Sequence, residues 1–167
     1  MSHIVRDVGV AKQIGLYSDA IEAGPNLRWL MTSGTPGFVD ASKIPTDIVG
    51  QSEQAWENVL HVLSTAAMTV DDIVKVTQYL TRAGDVKAYA QVRNRFLGAA
   101  RPASMLLVVP QLVWPSLLVE VEVVAAKARS KAESRSDKQR LPGRLRQSLP
   151  ARVRTCVNCR PRQFALE

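Results

Sequence analysis

Cysteine is missing from the first 128 residues of this 167-residue chain. This part therefore has neither a disulfide nor a thiolate nucleophile, and its two histidines, His3 and His61, are too few for a metal site. No stretch approaches the roughly 18 apolar residues that a transmembrane helix needs. The start also lacks the apolar run of a signal peptide. We therefore expect a cytoplasmic protein that binds neither a membrane nor a metal.

An excess of positive charge is also missing from this part of the chain. Residues 1–128 hold 11 Lys and Arg and 12 Asp and Glu, whereas residues 129–167 hold 11 and 3. The net charge of +7 therefore arises entirely from the last segment. Residues 1–128 thus give no sign of nucleic-acid binding.

The segment 129–167 differs in composition from everything before it. It is rich in Arg, Ser, Gln and Pro and has Phe164 as its single aromatic residue, so it cannot bury enough surface to fold. We predict a domain of residues 1–128 followed by a basic, disordered tail, whose composition also fits a non-native extension. Cys156 and Cys159 form an isolated CxxC pair, and zinc needs two further ligands. Nucleic acid is not an expected partner, except through the charge of this tail.

Hydrophobic spacing predicts five strands and two helices. A turn at residues 25–26 predicts a β-hairpin over residues 17–33. Apolar residues three and four apart, after Thr46 or Asp47 as the cap, predict a helix that ends near Met68. The later elements are a strand at 73–80, a helix at 85–97 and strands at 104–109 and 117–126. The order predicts an α+β sheet with two helices packed on one face, and the other face must be polar or covered by a partner.

Five segments follow one known family in order and spacing. They are Ile14-Gly15-Leu16-Tyr17-Ser18; Thr32-Ser33-Gly34; Asp47-Ile48 with Gln51, Gln54, Asn58 and Val59; Asp72-Ile73-Val74-Lys75-Val76-Thr77; and Pro102-Ala103-Ser104 with Leu118-Val119-Glu120-Val121-Glu122. Over about residues 10–127 the chain resembles the Rid family, the reactive intermediate deaminases, which are also called YjgF, RidA or L-PSP proteins.

The resemblance implies a chorismate-mutase-like fold and a homotrimer whose three sheets surround a central barrel. It also implies that ligand clefts lie between neighbouring subunits. Family members that deaminate hydrolyse a small enamine or imine, such as 2-aminoacrylate, to a keto acid and ammonia. The resemblance therefore implies a small-molecule ligand, further copies of the chain as partners, and no metal or organic cofactor.

The resemblance also assigns roles to individual residues. Glu120 falls where the family acid positions or activates water against the imine carbon. Tyr17 falls where a tyrosine lines the cleft. Ser33 and Gly34 fall at a turn whose backbone contacts the ligand, and the strand around Leu106 corresponds to another backbone contact.

Two positions depart from the family pattern. Ser104 replaces the arginine that pairs with the substrate carboxylate, and Ala90 replaces an asparagine common on the second helix. A bidentate charge-assisted pair is worth about 1.5–3 kcal/mol, so affinity for a small 2-imino acid should fall roughly 10- to 100-fold. Arg93 or Arg101 is a candidate to supply the charge from another direction. For both, a solvated surface position is the alternative interpretation.

Other interpretations remain open for the remaining candidates. Glu120 and Glu122 lie two apart on a strand, as on any solvated sheet surface, and we expect Glu122 to be structural. Packing at the sheet edge is the alternative for Tyr17, and a small filler is the alternative for Ser104. Trp114 covers either a cleft, a subunit contact or the core.

The leading hypothesis is hydrolysis of small enamine or imine metabolites, with specificity altered by Ser104. A trimer that binds a small metabolite without catalysis is the first alternative. Endoribonuclease activity, which some relatives carry in their name, is a weaker alternative. Glu120→Gln separates the first two hypotheses, because it would end turnover in one and change only affinity in the other.

Overall fold

The computed structural model describes residues 3–130, which form seven strands, two α-helices and three short 3-10 helices. The strands are β1 (His3–Arg6), β2 (Ala20–Ala23), β3 (Leu27–Met31), β4 (Thr35–Pro36), β5 (Ile73–Leu80), β6 (Ala103–Val108) and β7 (Val119–Ala128), and the helices are α1 (Ile48–Thr65) and α2 (Val86–Leu97). The predicted tail lies outside the described residues from residue 131 onward, and so do both cysteines.

The main sheet has the strand order β3-β7-β5-β6, and β4 pairs with the first part of β7. β5 and β6 run parallel and are joined through α2, whereas β7 runs antiparallel to β3, β4 and β5. The register places Glu120 of β7 between Pro36 of β4 and Tyr79 of β5. This position brings the predicted catalytic carboxylate next to the segment that follows β3.

The predicted hairpin over residues 17–33 is wrong. β2 and β3 occupy this stretch, but β2 pairs with β1 in a separate two-stranded sheet and β3 pairs with β7. The chain does turn between them, at Asn26 with a φ of 61°. A turn signal predicts a change of direction, and it does not say which strand completes the hydrogen bonds. The sequence pattern also missed β1, whose Arg6 Nε donates to Glu22 Oε2 of β2 at 2.8 Å.

Both predicted helices are confirmed. The Asp47 carboxylate caps α1 by accepting a hydrogen bond of 2.9 Å from the backbone N–H of Gly50. α2 ends at Gly98, which has a φ of 55° and donates its N–H to the carbonyl of Asn94. The two helices meet where Trp56 stacks on Phe96, with ring centroids 6.3 Å apart.

One face of the sheet packs against these helices and forms the core, as predicted. Alternate residues of β5 and β7 point into it, since side chains alternate between the faces of a strand. The core includes Val76, Leu80, Val119, Val121 and Val123 of the sheet, Ala55, Val59 and Leu63 of α1, and Val92 and Leu97 of α2. Burial of each large apolar side chain contributes about 1.5–3 kcal/mol. The fold is thus α+β with two helices on one face.

The opposite face, which we call the open face, mixes polar and apolar side chains. By register it carries Lys75, Thr77, Glu120 and Glu122, together with Trp29, Met31, Met105 and Leu107. The last four are 50%, 70%, 50% and 38% exposed. The expectation of a partner on this face stays a prediction. In the part of the chain that the structure describes, no helix is long and apolar enough to cross a bilayer.

Candidate functional site

The residues predicted to form one site line two separate hollows. Tyr17, Ser104 and Leu106 line a cavity of about 600 Å³ beside α2, which we call the α2 cavity. Gly34 and Glu120 line a second hollow of about 420 Å³, which we call the Glu120 hollow. Neither hollow contains the full predicted set.

Tyr17 is held at the α2 cavity by the residue that follows it. Ser18 is 2% exposed, and its hydroxyl donates to the carbonyl of Arg101 at 2.6 Å. Its backbone forms an isolated parallel bridge with Ala103 at the start of β6. The Tyr17 ring packs over Gly15, where an added Cβ would lie 3.4 Å from Cε1. These contacts fix the ring at the rim of the cavity.

Ser104 belongs to a buried hydrogen-bond network centred on Gln78. Gln78 is 0% exposed, and its Nε2 donates to Ser104 Oγ at 2.7 Å and to the carbonyl of Met105 at 2.9 Å. The Tyr89 hydroxyl donates to Gln78 Oε1 at 3.0 Å. The Ser104 hydroxyl accepts from Gln78, so its own proton is available to an acceptor in the cavity.

Arg93 of α2 lines the same cavity and is 7% exposed. Its Nη2 and Nε donate to Asn94 Oδ1 at 3.0 and 3.3 Å, and its Nη1 lies 3.5 Å from Gln78 Oε1. Burial lowers the pKa of Arg93, and the nearby phenols of Tyr89 and Tyr17 oppose this shift. The surface interpretation of Arg93 is therefore wrong. Arg101 instead donates from Nη1 to the carbonyls of Gly98 and Ala100.

The Glu120 hollow is formed by a close approach between a carboxylate and a turn. A Cβ added at Gly34 would overlap Oε1 of Glu120, so only glycine leaves room for this carboxylate position. Ser33 is exposed in the same turn, and Thr35 Oγ1 donates to its carbonyl at 3.3 Å. Glu122 lines the hollow together with Glu120, Tyr79 and Gln111.

The Gly34 turn is fixed to α1 and β7 by polar side chains. Asn58 Nδ2 of α1 donates to the carbonyls of Pro36 and Phe38 at 3.1 and 2.9 Å. Thr32 Oγ1 accepts from the backbone N–H of Val123 at 3.0 Å. Both attachments lie close to Gly34 in the chain, so the turn presents its backbone to Glu120 in one defined position.

A second α1 side chain holds the loop that leads into β7. Gln51 is 0% exposed, and its Nε2 donates to the carbonyls of Pro45 and Ser116, each at 2.8 Å. Its Oε1 accepts from the N–H of Leu118 at 2.8 Å. Trp114 in this loop stacks on Phe38 with ring centroids 5.2 Å apart. The loop before Glu120 is thereby attached to the helix layer.

The Glu120 carboxylate has no hydrogen-bond donor and no cationic partner among residues 3–130. A carboxylate in this state can accept a proton from water or orient a water molecule. Across the same residues, no three His, Cys, Asp or Glu side chains come together as metal ligands. The expectation that no cofactor takes part stays a prediction.

Sequence reasoning missed Gln78 and did not favour Arg93. Gln78 is a polar residue at a position of β5 where the alternation demands a buried side chain, between Val76 and Leu80. Arg93 follows Tyr89 by four residues on the inward face of α2. A polar residue at an inward position was the signal in both cases, since buried polar groups require partners.

Comparison with known proteins identifies the family. Residues 10–127 match the family model described as Endoribonuclease L-PSP. The chain belongs to this family, which is the Rid family. A RutC family protein of Pyrococcus abyssi is 31% identical to this Rid protein over 118 residues, which are 70% of this chain and 90% of the relative. A second one, from Pyrococcus horikoshii, is 29% identical over 127 residues, which are 76% and 99% of the two chains.

Solved structures of the family have the same fold. YyfB of Yersinia pestis matches this Rid protein with a TM-score of 0.67 and 25% identity, over 76% of this chain and 100% of YyfB. TdcF of Escherichia coli with bound serine matches with a TM-score of 0.57 and 26% identity, over 69% and 91%. The name of TdcF assigns it provisionally to the reactive intermediate deaminases.

Proposed function

We propose that this Rid protein hydrolyses small imines or enamines to a carbonyl compound and ammonia, in a cleft between the subunits of a homotrimer. The observation that carries the proposal is the Glu120 carboxylate, which lies against the Gly34 turn and has no hydrogen-bond donor or cationic partner among residues 3–130. The provisional name of TdcF as a reactive intermediate deaminase gives independent support.

The chemistry needs a base and an acid at one place. Glu120 accepts a proton from water, and the hydroxide adds to the imine carbon to give a carbinolamine. The carboxylic acid returns this proton to the imine nitrogen, which completes the neutral carbinolamine. Glu120 then takes the proton of the carbinolamine hydroxyl and passes it to the nitrogen, so that the C=O bond forms, the C–N bond breaks and ammonia leaves. One water is consumed and no electrons are exchanged, so these steps need no redox partner.

The separation of the two hollows supports a site between copies. Glu120 lies on the open face, whereas Ser104 bonds to Gln78, whose side chain lies in the helix-facing layer. A second copy, placed with its open face against the rim of the first, would bring the Glu120 carboxylate to the α2 cavity. Exposed Trp29 and Met31 on the open face favour such association, because large exposed apolar patches commonly mark interfaces.

Ser104 changes which imines the site prefers. Its hydroxyl is one neutral donor held by Gln78, in place of a planar guanidinium fork. We therefore propose altered specificity with retention of hydrolysis, because the residue that activates water is present.

The test is an imine panel generated in solution from amino acids by an amino-acid oxidase. Release of ammonia and keto acid is followed with the full chain, Glu120→Gln and Glu57→Gln. Glu57 is an exposed residue of α1 and serves as the matched control. We expect wild type and Glu57→Gln to accelerate release alike and Glu120→Gln to lose about 100-fold or more.

Two results would contradict hydrolysis. No acceleration on any imine, with tight binding of a carbonyl analogue, would favour the metabolite-binding trimer. RNA cleavage that disappears with Glu120→Gln and persists without residues 131–167 would favour the endoribonuclease alternative. A monomer in sedimentation analysis at assay concentration would contradict the intersubunit site.

A further inference from the structure

We propose that Arg93 binds the anionic group of the ligand. The substrate then carries a carboxylate that is bound by a residue of α2, instead of by a residue at the Ser104 position of β6. This inference rests on the proposed function and names its substrate class. It assigns a binding role to a residue that lines the α2 cavity together with Ser104.

The first support is the burial of the charge. Arg93 is 7% exposed, although arginine is rarely buried without a partner of opposite charge. Among residues 3–130 no carboxylate forms an ion pair with it. Its acceptors there, Asn94 and Gln78, are neutral amides. A buried guanidinium with only neutral acceptors favours an anion in the adjoining space.

The second support is the geometry of the donors. Asn94 Oδ1 accepts from one side of the fork, through Nε and Nη2. Nη1 has only the long contact of 3.5 Å to Gln78 Oε1. A guanidinium has five N–H donors, so donors remain on Nη1 and Nη2 for a planar, two-oxygen acceptor. The Nη2 atom lies 4.0 Å from the Cβ position that a side chain at Gly15 would occupy, at the cavity rim.

The third support is the arrangement of neutral polar groups around the same space. The Ser104 hydroxyl has its proton available, and Tyr17 closes the rim beside Arg93. Ala90 lines the cavity from α2 where the family commonly has an asparagine, and its shorter side chain fills less of the cavity. A ligand anion that approaches Arg93 therefore meets further donors and no carboxylate of the described chain.

The remaining wall selects the rest of the ligand. It is formed chiefly by apolar residues: Ile14, Leu16, Val86 and Leu106. A 2-imino acid with a short apolar side chain satisfies both parts, with its carboxylate at Arg93 and its alkyl group on this wall. A neutral imine of the same shape would leave the guanidinium without its anion.

The experiment measures discrimination between two stable analogues of equal shape, 2-oxobutanoate and 2-oxobutanamide. Calorimetric affinities for the full chain should favour the carboxylate about 10- to 100-fold. Arg93→Gln should abolish this preference, and Arg93→Lys should retain part of it because the charge remains without the fork. Arg95→Gln is the matched control, since Arg95 lies on the same helix, is exposed and pairs with Glu53.

Equal wild-type affinities for the two analogues, or a preference that survives in Arg93→Gln, would overturn the proposal. If Arg93→Gln does not fold, the side-chain Nε–H signal of Arg93 in ¹⁵N-arginine wild type decides. A shift with 2-oxobutanoate and none with the amide supports the assignment, and equal shifts overturn it.

Hydrolysis assays separate this inference from the proposed function. Equal hydrolysis of the imino acid and of its amide would support the proposed hydrolytic function and contradict the proposed binding of the carboxylate by Arg93. A preference for the carboxylate analogue without hydrolysis of any imine would support the binding role of Arg93 and contradict the proposed hydrolytic function.

Discussion

The α2 cavity and the Glu120 hollow are built in opposite ways. In the α2 cavity the polar side chains are tied to one another, through Gln78 to Ser104 and to Tyr89. In the Glu120 hollow the carboxylate has no partner among the described residues, and the backbone at Gly34 defines its place. Among residues 3–130, Arg93 in one hollow has no carboxylate partner, and Glu120 in the other has no cationic partner.

The difference bears on the proposed site between copies. A network of buried hydrogen bonds is set by internal packing, because each member restricts the others. For a carboxylate on an exposed sheet face, solvent exposure and hydrogen-bond partners depend on what packs against that face. In the proposed shared site, the α2 cavity is thus the binding half and the Glu120 hollow is the reactive half.

The largest expected effect is the recovery of activity in oligomers that contain two different inactive variants. Glu120→Gln and Arg93→Gln should each be nearly inactive alone on an imino acid. In a random mixture of the two variants, about a quarter of the sites between copies would combine both intact hollows. Co-expression should therefore recover about a quarter of the wild-type rate, measured as ammonia release. No recovery in a mixed oligomer would indicate that both residues act within one chain.

Gly34→Ala tests the reactive half alone. The added Cβ would displace the Glu120 carboxylate, and a misplacement of about 1 Å can cost 100-fold in rate. We expect kcat/KM to fall about 100-fold, while the free energy of unfolding changes by less than about 1 kcal/mol at this exposed turn. Gly24→Ala is the control, because an added Cβ there meets nothing within 4 Å. Equal activity of the two variants would refute the positioning role.

Gln78→Leu tests the binding half. The change leaves the buried Tyr89 hydroxyl without its acceptor, so the free energy of unfolding should fall by about 1–3 kcal/mol. Urea denaturation measures this loss. Gln91→Leu, on the exposed side of α2, should change stability by less than about 0.5 kcal/mol. Similar losses in both variants would show that the network contributes nothing specific.

The smallest expected effect concerns the segment that leads to Tyr17. Burial raises the pKa of Asp19, but hydrogen bonds from the backbone N–H groups of Ala11, Val8 and Gly9 outweigh it, and the net pKa lies below 3.8. The resulting stabilisation is complete above this ordinary value and is lost as the pH falls through the lower folded pKa.

Asp19→Asn should therefore lower the melting temperature at neutral pH and flatten the dependence of the melting temperature on pH in the acid range below about pH 5. Asp7 Oδ1 accepts from the N–H of Asp19, so Asp7→Asn is a useful comparison on the same segment. An unchanged acid transition in Asp19→Asn would contradict the assignment.

The fold was largely predictable because its elements follow simple periods. α1, β5 and α2 have clear apolar spacing with a cap or a glycine stop, and each was placed within a few residues. The pairing of β2 and β3 was not predictable, since hydrogen-bond partners are chosen by the whole sheet. The short strand β1 was missed because its residues are mostly exposed, so it does not show the alternation of apolar and polar residues that marks a half-buried strand.

The site was predictable only in parts. The family pattern supplied Tyr17, Glu120 and the Gly34 turn, and their roles stay predictions. Their division between two hollows depends on which face of the sheet each strand presents, which follows from the register of β7. The helical spacing places Arg93 on the inward face of α2, but its contact with Gln78 depends on how α2 packs against β5, which the spacing does not give.

The open face carries the Glu120 carboxylate, the proposed base, together with exposed Trp29 and Met31 on a single surface. If copies associate through that surface, assembly and turnover share one equilibrium. On dilution the total rate would then fall more steeply than the protein concentration, because subunits separate and Glu120 becomes exposed to bulk water. The specific activity would therefore decrease. The abundance of the protein in its compartment would thus act as its own control on deamination.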